Sequence, residues 1–127
     1  MSDILIYTDG GARGNPGPAG AVAVAYEGDK KLFELKKFLG ARQTNNWAEY
    51  EAVILALTEA KKRGLASRAI EMRMDSELLM KQLTGQYKIE QEHLQKLFMQ
   101  IWNLRLDFPY ISSIIFRAKK TKKPTTW

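Results

Sequence analysis

Cysteine is absent from all 127 residues. Disulfides, thiolate metal sites and cysteine nucleophiles are therefore excluded, and a reducing compartment is compatible with the composition. Histidine occurs once, as His93, so any metal site must rest on oxygen donors. No apolar run approaches the length of a membrane span, and residues 1–7 carry Asp3 with no basic start. No signal peptide and no membrane partner are expected, and the protein is expected to be cytoplasmic. Acids are missing from the end of the chain: none follows Asp107, whereas residues 117–127 hold five basic residues. That tail supplies most of the net charge of +6 and leaves the rest nearly neutral. The overall basic balance, which ordinarily points to a polyanionic partner, therefore carries little weight.

What is present fits one folded domain. An apolar share of 45% excludes general disorder, and the length suits a single core. Residues 4–8, 21–26 and 32–39 read as strands, with Gly28-Asp29 as a hairpin turn between the second and third. The period then changes. Trp47, Tyr50, Ile54 and Leu57 recur at helical spacing through residues 46–63, and Gly64 ends the run. Residues 69–74 alternate as a fourth strand. Residues 76–83 form a short helix, residues 90–106 a longer one with Leu94, Leu97, Phe98, Ile101 and Leu104 as its core stripe, and residues 111–116 a last strand. The order β-β-β-α-β-α-α-β predicts an antiparallel meander of three strands, then a crossover that lays the fourth parallel to the first.

The densest chemistry lies in Tyr7-Thr8-Asp9-Gly10-Gly11-Ala12-Arg13-Gly14-Asn15-Pro16-Gly17-Pro18. Asp9 closes an apolar strand, and the Gly/Pro-rich stretch after it reads as a tight turn whose glycines admit a ligand to the backbone. Such a layout suits a hard cation beside a phosphate chain. With the first and fourth strands parallel neighbours, Asp9 and Asp75 emerge at one sheet edge, where ligands of open α/β sheets sit. Glu49, read in the first turn of the long helix, faces the same edge. Three converging carboxylates repel one another without a cation, and oxygen ligands select Mg²⁺ or Mn²⁺ over zinc. Each residue also has an ordinary reading. Asp75 beside Ser76, and Asn45 or Asn46, suit helix caps. Glu49 suits the positive end of a helix dipole. Trp47 and Tyr50 read as core, and His93 as a surface residue. Periodicity alone does not choose between site and scaffold.

Three motifs together resemble ribonuclease H of type 1: Tyr7-Thr8-Asp9-Gly10-Gly11 with Gly14-Asn15-Pro16-Gly17-Pro18-Ala19-Gly20; Thr44-Asn45-Asn46-x-Ala48-Glu49-Tyr50-x-Ala52; and Asp75-Ser76. The resemblance implies an α/β, ribonuclease H-like fold, a five-stranded mixed sheet with helices on both faces. It implies an endoribonuclease that cuts the RNA strand of RNA–DNA hybrids. Asp9, Glu49 and Asp75 are then the catalytic and metal-binding acids, holding two Mg²⁺ (or Mn²⁺) ions. One ion activates the attacking water and the other stabilises the leaving oxygen. Asn15, Asn45 and the Gly11 backbone lie against the minor groove, where 2′-hydroxyls identify RNA. Thr44 binds a phosphate of the DNA strand, and Arg13, Asn46, Ser76 and Glu77 complete the substrate-binding set. Glu77 stands where many relatives have Gln. No protein partner is implied.

Two departures from the family pattern bear on activity. The basic protrusion of larger relatives is absent, since Tyr87-Lys88-Ile89-Glu90 passes straight to the next helix, so a weaker, more salt-sensitive grip is expected. The usual ending, Arg-x-x-Asn-x-x-Ala-Asp-x-Leu with a fourth acid and a final helix, is replaced by the basic residues 117–127. The expected organisation is a domain over 1–116, a disordered tail over 117–127, and no final helix. Removing one adenine from the codons that can encode this tail gives Arg-Ala-Lys-Asn-Lys-Glu-Ala-Asp-His-Leu, the family pattern at its proper spacing. A one-base insertion that ended the frame early is therefore expected. The alternative to an active nuclease is a catalytically impaired hybrid-binding module.

Overall fold

The structure, a computed structural model, describes residues 4–74 and 76–108 and the backbone of 114–118. Along the chain run β1 (Ile4–Ala12), β2 (Gly17–Glu27), β3 (Lys30–Gln43), α1 (Asn45–Lys62), β4 (Ile70–Met74), α2 (Glu77–Leu83), α3 (Glu92–Leu106) and β5 (Ile114–Ala118). They build one five-stranded sheet in the order β3-β2-β1-β4-β5. β1, β2 and β3 pair antiparallel, and β4 lies parallel to both β1 and β5. The meander and crossover expected from the sequence are thus present. Of the tail expected over 117–127, Arg117 and Ala118 belong to β5, while residues 119–127, the shifted reading and the final helix lie outside the described residues.

The strands run further than the sequence patterning indicates. β1 does not end at Asp9: Asp9, Gly10, Gly11 and Ala12 pair with Val22, Ala21, Gly20 and Ala19. The ladder with β2 supplies backbone partners along this stretch, which outweighs the low strand preference of glycine. The turn shrinks to residues 13–16. The expected two-residue hairpin between β2 and β3 is present, with Gly28 at φ 60°, a conformation that costs glycine little.

α1 lies on the sheet along a stripe of Ala48, Ala52, Ala56 and Ala60, all fully buried. A four-residue repeat of the smallest side chain keeps one helix face flat and brings its backbone close to the strands. Ile4, Ile6, Ala23, Ala25 and Phe33 of the sheet join Tyr50, Val53 and Leu57 of α1, Leu79 and Leu83 of α2, and Leu94, Leu97 and Ile101 of α3 in one buried cluster. The α3 stripe is core, as expected. Among the described residues no helix is long and apolar enough to cross a membrane.

Candidate active site

β1 has two neighbours that stop at different heights. Its parallel ladder with β4 runs to Thr8↔Met74, whereas its antiparallel ladder with β2 continues to Ala12↔Ala19. Asp9 is the first β1 residue past the described β4 ladder. It borders a small open pocket lined by Thr8, Asp9, Gly10, Glu49, Met74, Ser76 and Leu79. Asp9 and Glu49 are therefore brought together, as the sequence indicated. Asp75 lies outside the described residues, but both of its chain neighbours line the same pocket. Among the described residues no three His, Cys, Asp or Glu side chains gather as a metal site.

Glu49 owes its place to Gly10. A Cβ on Gly10 would stand 2.2 Å from the carbonyl oxygen of Ala48 and 2.6 Å from the backbone nitrogen of Glu49. Only a residue without a side chain lets α1 reach β1 there. The openness of Gly10, read from the sequence as room for a ligand, is filled by the helix. Glu49 also falls in the second turn of α1 rather than the first. Thr44 is the cap, its Oγ1 accepting from the Trp47 backbone N–H at 3.1 Å, so neither Asn45 nor Asn46 caps and the helix begins at Asn45. The cap of α2 is likewise Ser76, whose Oγ accepts from the Leu79 N–H at 3.0 Å, rather than Asp75. A hydroxyl on a short stem reaches the second and third helical N–H groups without distorting the chain.

The two asparagines join the β1–β2 turn to the start of α1. The Ala12 N–H donates to Asn45 Oδ1 at 2.8 Å, and the Asn45 N–H donates to Asn15 Oδ1 at 3.0 Å. Because backbone donors fix both oxygens, the amide orientations are set, and each side-chain NH₂ group has no acceptor among the described residues. Asn46 lies beside them in the first turn. Gly11 pairs within the sheet, while Arg13 opens the turn, its N–H donating to the Pro18 carbonyl at 2.8 Å. Glu77 is exposed and pairs with Lys81 at 3.0 Å. That hydrogen bond, with a second that Lys81 Nζ donates to the Tyr87 hydroxyl oxygen, holds the Lys81 ammonium above its ordinary range.

Three features escaped sequence reasoning. Tyr50 is core, but its hydroxyl donates to buried Gln82 Oε1 at 2.7 Å, tying α1 to α2 behind the pocket. Burial pushes the Tyr50 phenol up to about 12. Trp47 is only partly buried, and His93, exposed as expected, stacks on it with ring centroids 5.9 Å apart. Thr8, buried at 1% exposure, lines the pocket. The buried Tyr50–Gln82 pair had a sequence signal only in a Gln on the apolar side of α2.

Comparison with known proteins agrees with this fold. The sequence model of the family described as reverse transcriptase-like matches residues 7–124. The bifunctional protein Rv2228c of Mycobacterium tuberculosis is 41% identical over 121 residues, which are 93% of this chain and 32% of that protein. Ribonuclease HI of Halobacterium salinarum is 42% identical over 90 residues, 71% of this chain and 44% of that protein. The chain thus spans less than half the length of these curated relatives. Among solved structures, LC11-RNase H1 in complex with an RNA/DNA hybrid superposes with a TM-score of 0.84 at 39% identity, covering 91% of this chain and 84% of that one. The N-terminal RNase H domain of Rv2228c, fused to maltose-binding protein, gives 0.83 at 36% identity, covering 94% and 83%.

Proposed function

The chain belongs to the reverse transcriptase-like family, as a ribonuclease H of type 1, and from that premise we propose that it is an endoribonuclease hydrolysing the RNA strand of RNA–DNA hybrids. The observation that carries the reading is the meeting of Asp9 and Glu49 at one pocket, with Met74 and Ser76 closing it on either side of Asp75. Asp9, Glu49 and Asp75 form the acidic set. The family generally uses a divalent metal, and the residues fit one. Their donors are hard carboxylate oxygens, no thiol exists in the chain, and the only imidazole stacks on Trp47. Oxygen donors of this kind favour Mg²⁺ or Mn²⁺.

When bound, such ions supply an activated water and stabilise charge on the leaving oxygen. The chain's own residues hold and orient the substrate. Asn15 and Asn45, joined by the Asn45 N–H to Asn15 Oδ1 bond, keep their NH₂ donors for hydroxyl and base-edge acceptors of a minor groove. The Thr44 hydroxyl accepts from its own helix and keeps its proton for a phosphate oxygen of the DNA strand. Gly11, Arg13, Asn46, Ser76 and Glu77 flank these groups as further substrate contacts.

The test is cleavage of an end-labelled hybrid with Mg²⁺ or Mn²⁺, against EDTA and against Asp9→Asn and Glu49→Gln. Metal-dependent cutting of the RNA strand alone, lost in both variants, is expected. Binding without turnover would select the impaired hybrid-binding reading, which the absence of acids in residues 117–127 favours. Neither binding nor cutting at low salt would overturn both.

A further inference from the structure

β3 is one of the two edge strands of the sheet, and its second half carries an unusual surface. Lys36, Lys37 and Phe38 are consecutive and all exposed, Phe38 at 64%. Lysines on a free sheet edge commonly block pairing with other chains. An exposed phenylalanine beside them works against that purpose, so edge protection alone does not account for the trio. Among the described residues neither Lys36 nor Lys37 forms an ion pair; the nearby carboxylate of Glu34 is held by Lys31 at 2.7 Å.

The register places this trio level with the pocket. Asp9 pairs with Val22, which pairs with Lys36; Gly10 with Ala21 and then Lys37; Gly11 with Gly20 and then Phe38. The three rows that begin at the acidic edge of β1 end at the basic, aromatic edge of β3. Two strand spacings, roughly 10 Å, separate them, less than the breadth of a nucleic-acid duplex. Gly11 and Gly20 have no side chains, so nothing in its own row stands over the Phe38 ring. The same strand leads into Thr44 at the start of α1.

We propose that Lys36, Lys37 and Phe38 form a subsite for the sugar–phosphate backbone of the uncut DNA strand, beside the strand held at the Asp9–Glu49 pocket. The inference rests on the nuclease reading above. Successive strand residues face opposite ways, so Lys36 shares a face with Phe38 while Lys37 reaches round the sheet edge from the other, and the two ammonium groups neutralise separate phosphates. The apolar ring lies against deoxyribose, whose C2′ carries no hydroxyl, whereas a ribose there would bring a polar group onto it. Hybrid recognition is then two-sided: asparagine donors read hydroxyls on one strand, and a phenyl ring favours their absence on the other.

The experiment measures hybrid affinity across a salt series in the Asp9→Asn background, where no strand is cut. A Lys36→Glu/Lys37→Glu double variant is expected to bind at least about tenfold more weakly, and its slope of log affinity against log salt should fall by about two. Phe38→Ser should weaken hybrid binding several-fold with the slope unchanged, and Phe38→Leu should retain most of the affinity. Making the DNA strand uncharged with methylphosphonates should abolish the lysine effect. Unchanged affinity and slope, an effect that persists on the uncharged DNA strand, or increased self-association with normal binding would each overturn the proposal. A milder Lys36→Gln/Lys37→Gln variant and unchanged melting curves exclude misfolding. Wild-type cleavage is scored separately: turnover with normal binding by these variants sinks only the subsite, and subsite-dependent binding without turnover sinks only the nuclease.

Discussion

At Gly10 a single hydrogen in place of a methyl decides whether the pocket forms. Gly10→Ala puts a carbon 2.2 Å from the Ala48 carbonyl, so strand or helix must move. A stability loss of about 1–3 kcal/mol is expected in urea denaturation, with a larger proportional loss of hybrid cleavage because Glu49 moves with the helix. Tyr50→Phe leaves buried Gln82 Oε1 without its donor and should cost about 1–3 kcal/mol by the same measurement. Tyr50 also gives the fold an alkaline limit. Its phenol is raised from 10.0 to about 12 by burial, so the folded chain keeps a proton that the unfolded chain releases. This contribution is complete below pH 10 and disappears between about pH 10 and 12, at roughly 1.4 kcal/mol per pH unit. Denaturation midpoints should fall over that window in the wild type and fall less steeply in Tyr50→Phe.

Among the elements, α1 carries most of the site's precision, and its start is the sensitive end. Thr44→Ala removes the hydroxyl that accepts from Trp47 and should cost about 1 kcal/mol in thermal melting, with weaker hybrid binding if Thr44 also meets a phosphate. α1 was legible in the sequence because its apolar residues keep one period for five turns, and Asp9 with Glu49 was legible because topology alone sends both to the edge shared by β1 and β4. The length of β1 was not. A run of Gly, Ala and Arg has no strand pattern of its own, and Ala12 is held in the sheet by Ala19, a partner that local reading does not supply. Cap identity was missed for a related reason: Thr44, Asn45 and Asn46 are all competent caps. The choice fell to Thr44 because the two Asn45 hydrogen bonds, to Ala12 and Asn15, engage Asn45 with the β1–β2 turn.

On the scale of the whole molecule, the acidic pocket borders the buried cluster through Met74 and Leu79 but adds no charge to it. The core is apolar and continuous from α1 to α3, so chelation should abolish cleavage while leaving circular dichroism unchanged. Adding Mg²⁺ at about one hundred times its dissociation constant should stabilise the fold by about 2.7 kcal/mol, visible as a rise in melting temperature that Asp9→Asn lacks. The two carboxylates at the pocket stand on frameworks that touch directly, main chain against main chain, where Gly10 meets Ala48. No loop intervenes between the two anchors, so the spacing of their backbones is inherited from that contact, and only the side-chain torsions of Asp9 and Glu49 move the carboxylates themselves. Warming therefore leaves the two anchors at one spacing until the helix quits its seat, whatever the side chains do in between.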